Sequence, residues 1–89
     1  MAQVCDVAEL GAGDGRLALL FARKGMSAVI LDTTDWRDGD VRESTVKFEL
    51  VQEDSPYKLP DKSIDFFYSY GTLEHVRNPF RVFEEGIRI

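Results

Sequence analysis

One cysteine, one histidine and three prolines are all this chain of 89 residues holds of the types that staple, ligate or stiffen. A single cysteine, Cys5, cannot form an internal disulfide, which excludes a stapled secreted scaffold and favours a reducing, cytoplasmic setting. One His and one Cys are too few for a zinc site of known spacing, so no metal is expected. Basic residues are in the minority: eleven Lys and Arg stand against sixteen Asp and Glu, for a formal charge of −5. Without a basic excess to neutralise phosphates, nucleic acid and anionic membrane surfaces are not expected as partners. No apolar run approaches the length of a bilayer span, and Met1-Ala2-Gln3 lacks the basic and apolar regions of a signal peptide. Internal repeats, low-complexity tracts and linker-like stretches are absent too. What remains, 44% hydrophobic and 30% charged residues, is ordinary globular usage and predicts one small acidic domain.

The apolar pattern alternates between two periods. Val4 to Leu10 is short and β-prone and runs into the glycine cluster Gly11-Ala12-Gly13-Asp14-Gly15. Arg16 to Lys24 follows with Leu17, Leu20, Phe21 and Lys24 on one helical stripe, and Gly25 suits the residue after a helix end. A continuous apolar run, Ala28 to Leu31, ends at Asp32, as expected of a strand buried on both faces. Thr33 to Thr45, rich in Asp and Gly, reads as a solvated loop with about one helical turn. Val46 to Leu50 alternates strictly, which suits an edge strand, and Ile64 to Tyr70 reads as a fourth strand. Asn78-Pro79 then starts a helix carrying Phe80, Phe83 and Ile87 at helical spacing. Strands alternating with helices predict an α/β fold with a Rossmann-like, doubly wound parallel sheet of about four strands.

In such a sheet ligands bind beyond the carboxyl ends of the strands. The four predicted strands end in Glu9 and the glycine turn, in Asp32, in Glu53-Asp54 and in Ser69-Tyr70-Gly71. Gly11 and Gly13 free the backbone to turn tightly and to meet a ligand, and Gly15 lets the helix start against the strand. The spacing is Gly-x-Gly-x-Gly, since position 16 is Arg and not the third glycine of a dinucleotide site. A carboxylate at Glu9 would repel a pyrophosphate and accept from a cationic amino group, while a helix N-terminus can hold a carboxylate. Asp32, nineteen residues after Gly13, is placed to chelate ribose hydroxyls, and Asp54 to accept from an exocyclic amine. Ammonium, carboxylate, ribose and adenine together describe S-adenosyl-L-methionine.

Three segments carry a family resemblance. Glu9-Leu10-Gly11-Ala12-Gly13-Asp14-Gly15 resembles the first motif of class I S-adenosylmethionine-dependent methyltransferases. Leu59 to Asp65 is similar to that family's approach to its fourth strand, and Leu73-Glu74-His75-Val76-Arg77-Asn78-Pro79 to the segment after it in the small-molecule branch. The resemblance implies a cofactor site of Glu9, Gly11, Ala12 and Gly13 at the methionine end and Asp32 with Thr33 at the ribose. Asp54 and Ser55 fall at the adenine, with Ser69, Tyr70 and Gly71 closing over the methionine. It implies methyl transfer to a small-molecule acceptor. It also implies a partial domain over residues 1–89, ending before a fifth strand, whose open fourth strand would recruit a second copy or the missing C-terminal half.

Each residue has a plainer reading beside this one. Asp32 could cap a turn. His75 is either a base that takes a proton from an attacking oxygen or nitrogen, or a structural histidine paired with Glu74 or a carbonyl; the structural role is favoured. Phe66, Phe67, Tyr68 and Tyr70 are expected in the core rather than stacking on bases. Asp35, Asp38 and Asp40 lack the remaining positions of a calcium loop. Two other functions compete: a non-catalytic fragment acting through association, and a nicotinamide-binding domain, disfavoured by Glu9 and Arg16.

Overall fold

The computed structural model describes residues 5–52, 55–70, 72 and 76–89. Among them, four strands form one parallel sheet: β1 (Asp6–Leu10), β2 (Ser27–Asp32), β3 (Lys47–Leu50) and β4 (Phe66–Ser69), in the order β3-β2-β1-β4. Helices α1 (Arg16–Arg23), α2 (Gly39–Arg42) and α3 (Pro79–Arg88) complete the fold. Period-two alternation splits the core into two layers. Val7, Ala28 and Ile30 face Ala18 and Leu19 of α1 and Val41 of α2. Ala8, Leu10, Val29 and Leu31 face Val82 of α3, with Tyr57 and Ile89. The sheet is therefore wound on both sides, as its continuous apolar second strand predicts.

The glycine turn and the first helix follow from local chemistry. Gly11, Gly13 and Gly15 all adopt positive φ, which side chains resist. A Cβ on Gly15 would stand 2.9 Å from both Ile30 and Val41, so the third glycine does let α1 start against the sheet. At the other end Gly25 (φ +90) closes a Schellman motif, its N–H donating to Ala22 O at 3.0 Å and that of Met26 to Phe21 O at 3.1 Å.

Several expectations need correction. Leu17 and Leu20 stay exposed, while Ala18 and Leu19 make the contact of α1 with the sheet. The stripe Phe80, Phe83 and Ile87 is 74%, 56% and 85% exposed; α3 turns its other face, with Val82 and Glu85, inward. Phe66 and Tyr70 are likewise exposed rather than core. Asn78 holds the N-cap position of α3 without a side-chain cap bond. The fourth strand is shorter than its apolar pattern: before it, Ile64 N–H donates to Ile89 O at 2.7 Å, and Asp65 N–H is the first to reach β1, donating to Asp6 O at 2.8 Å. The loop after β2 is tied down by ion pairs: Asp35 with Arg37 and Arg42, and Asp38 and Asp40 with Arg16.

Candidate functional site

A cleft opens where β1, β2 and β3 end, on the α3 side of the sheet. Leu10 and Gly11, then Asp32 and Thr33, then Val51, Gln52 and Ser55 form its strand-end walls. Tyr57, Thr72, Val76 and Asn78 extend them, and α3 supplies Arg81, Val82 and Glu85. The described walls enclose about 180 Å³.

Each wall is set by bonds its own sequence supplies. Asp32 Oδ1 accepts from Thr33 N at 2.7 Å and from Thr34 N at 3.5 Å, which fixes the carboxylate at the end of β2. The turn-capping role is thus real, and it orients the group at the cleft wall. Thr72 Oγ1 donates to Gly11 O at 3.1 Å, and a Cβ on Gly11 would run into that same threonine. Gly11 therefore admits Thr72, whereas Gly13 is the one of the three turn glycines with nothing near an added Cβ. The rear wall is stapled to α3: Glu85 Oε1 accepts from Tyr57 N at 2.6 Å, and Arg88 donates to Tyr57 O, Leu59 O and Asp61. The bond from Arg88 holds the Glu85 carboxyl below its usual range, and burial raises the Tyr57 phenol.

Gly11, Asp32, Thr33 and Ser55 are thereby brought together as expected from their strand ends. Glu9 is not with them. It shares a face with Val7, so its side chain lies on the α1 side, 4% exposed, accepting from Tyr68 OH at 2.8 Å. Burial, reinforced by the charge of Asp14, raises its carboxyl above the ordinary value against that hydrogen bond. The repulsion of a pyrophosphate by Glu9 consequently loses its geometric basis. Ala12 packs on the α1-side core, Ser69 Oγ donates to Leu10 O at 3.0 Å, and Tyr70 points into solvent. Asp54, Gly71 and His75 lie outside the described residues.

Asn78, Arg81 and Glu85 were not among the expected site residues. Arg81 and Glu85 share one face of α3 with Val82, below Asn78 at the N-cap, a signal masked by the more apolar stripe opposite. Among the described residues no cluster of His, Cys, Asp and Glu could hold a metal ion, and no helix is long and apolar enough to cross a membrane.

A parallel sheet with helices on both faces and a cleft beyond its strand ends defines the doubly wound α/β class. Within that class the chain belongs to the methyltransferase domain family, whose pattern it matches over residues 8–89, with the fold of the class I S-adenosylmethionine-dependent type. One similar structure is a protein of Anabaena variabilis described as a methyltransferase from an antibiotic biosynthesis pathway, with TM-score 0.78 and 22% identity. It covers 100% of this chain and 36% of its own. The YcgJ protein of Bacillus subtilis is similar at TM-score 0.81 and 22% identity, over 96% of this chain and 39% of its own. The chain thus spans well under half the length of either structure. No curated protein matches it.

Proposed function

We propose that this chain is the cofactor-binding core of a methyltransferase that uses S-adenosyl-L-methionine and serves a small-molecule acceptor. The observation that carries this reading is the convergence of Gly11, Asp32, Thr33 and Ser55 on one cleft. The residues fit the cofactor. Gly13 has positive φ and open space where a side chain would stand, so its backbone is free for close approach. Asp32 presents an oriented carboxylate for two ribose hydroxyls. Ser55 stands at the β3 side of the cleft, where an adenine edge would lie, with Asp54 assigned there from sequence.

The chemistry the cofactor supplies when bound is a methyl carbon activated by a sulfonium. The chain's own task is to hold and orient, since in-line displacement asks mainly for alignment of donor and acceptor. Leu10, Val51 and Val82 give the cleft apolar walls, and the Thr72 hydroxyl bonds to the glycine turn at Gly11. His75 enters only where the acceptor arrives protonated. The acceptor class rests on the resemblance of Leu73 to Pro79 to the small-molecule branch. Calorimetry with S-adenosyl-L-methionine tests the assignment: Asp32→Ala should weaken binding about ten- to a hundredfold, as for lost hydrogen bonds to a charged group. Unchanged affinity would remove Asp32 from the ribose.

A second reading, association without catalysis, is favoured by the exposed apolar residues beside β4. In it the outer edge of β4 takes a second copy of the chain, or further chain of the same protein. Sedimentation of the 89-residue chain as a stable monomer would count against it.

A further inference from the structure

Among the described side chains, Arg81 Nε is a buried nitrogen with no hydrogen-bond partner. A buried charged donor left in this state is destabilising, and such groups are commonly satisfied by a ligand or water. The neighbouring acid does not serve it. Glu85 Oε1 takes the Tyr57 amide at 2.6 Å and Arg88 at 3.0 Å, and Oε2 takes Arg88 at 2.9 Å. Asp32 spends Oδ1 on its own turn. Arg81 is among the residues lining the cleft, and its closed-off Nε can gain the partner it lacks from an occupant toward which the side chain turns.

Position narrows what that partner is. Arg81 shares its helix face with Val82 and Glu85, which meet Tyr57, and its charge bears on both Tyr57 and Glu85. The guanidinium is therefore assigned to the Tyr57–Glu85 end of the cleft, which the chain after β3 builds. A guanidinium donates only, so it selects acceptor atoms. We propose that Arg81 reads the base of the bound nucleoside, its Nε–H donating to a ring nitrogen of adenine. This rests on the cofactor reading above. It also keeps the guanidinium away from the sulfonium end, where two cations would repel.

The amino-acid carboxylate is the other acceptor in the same ligand, and two probes separate them. S-adenosylhomocysteine carries both base and carboxylate; methylthioadenosine keeps the nucleoside and lacks the amino-acid tail. Calorimetric titration of Arg81→Met should show both probes weakened by about ten- to a hundredfold relative to wild type. Arg81→Lys, which keeps the charge and loses the Nε–H, should recover little of either. Loss confined to S-adenosylhomocysteine would assign Arg81 to the carboxylate and overturn the proposal, as would unchanged affinity for both. Wild-type protein that binds neither probe would overturn the cofactor reading itself. Circular dichroism melts establish that each variant is folded; should Arg81→Met fail, Arg81→Gln replaces it in the same comparison.

Discussion

The two edges of the sheet are built on opposite principles. At β3, charged Lys47 and Glu49 alternate with Phe48, and the Arg37 guanidinium covers the Phe48 ring at 5.2 Å. Arg37 is itself held by Asp35 at 2.8 Å, and α2 brings Val41 in behind. Charges and cover of this kind blunt an edge against further pairing. At β4 no charged residue interrupts Phe66-Phe67-Tyr68-Ser69, and among the described residues no strand pairs with its outer side. On one face Phe66 and Tyr68 meet Phe21, whose helix leaves Leu17 and Leu20 exposed. On the other, Phe83 and Ile87 line one groove with Phe67. Phe80 is exposed as well, so large apolar side chains stand in solvent on both faces beside this edge. One edge is blunted by charge and cover. Among the described residues the other carries neither.

The largest expected effect tests that difference directly. Wild-type chain should sediment as a dimer or larger species, and Phe83→Glu with Ile87→Lys should release monomer. A wild-type monomer would break the contrast between the edges. The converse substitutions sharpen it: Lys47→Val with Glu49→Val should add association at the edge that now resists it, and an unaltered profile would mean that Arg37 alone suffices as cover.

Next in size is the packing on the blunted side. Gly15→Ala forces a side chain onto φ +87 and into Ile30 and Val41, and should destabilise by about 2–4 kcal/mol. Gly13→Ala meets the same kind of backbone resistance with nothing near its Cβ, and should lose about 1–2 kcal/mol. Urea denaturation measures both. Equal losses would mean that Gly15 is kept for its dihedral alone and that the β3 side is less tightly packed than its contacts indicate.

Much of this arrangement was legible in the sequence, for identifiable reasons. Parallel strands buried on both faces leave continuous apolar runs, and glycines forced to positive φ leave a fixed spacing, so β2, the glycine turn and the strand-end site could all be read. Residues whose role depends on which way a strand or helix faces could not. Glu9 reads as a ligand group until its parity with Val7 assigns it to the α1 side. Phe80, Phe83 and Ile87 form a more apolar stripe than Val82 and Ile89, yet the latter are buried, because helix periodicity reports amphipathicity and not what covers it. Arg81 was hidden by the same inversion.

The smallest effect expected is a pH dependence that differs between the two sides. Near β4, burial and Asp14 hold the Glu9 carboxyl above its ordinary value of 4.5. The folded chain therefore binds that proton more tightly than the unfolded chain, and its stability rises as pH falls from neutral through the raised value. Near β3, the hydrogen bond from Arg37 holds Asp35 far below its ordinary 3.8, so the stability it contributes is present above that value and is lost only in stronger acid. Gln at position 9 keeps an acceptor for the Tyr68 hydroxyl without the buried charge. Glu9→Gln should accordingly melt higher than wild type at pH 7, with the gap closing toward pH 4. Asp35→Asn should melt lower at pH 7, its gap persisting through pH 4. Parallel melting curves for wild type and Glu9→Gln across that range would show that Glu9 is not held in its buried, desolvated setting. A loss of S-adenosyl-L-methionine affinity in Glu9→Gln would return this carboxylate to the cofactor site, through the glycine turn it underlies rather than through the cleft wall.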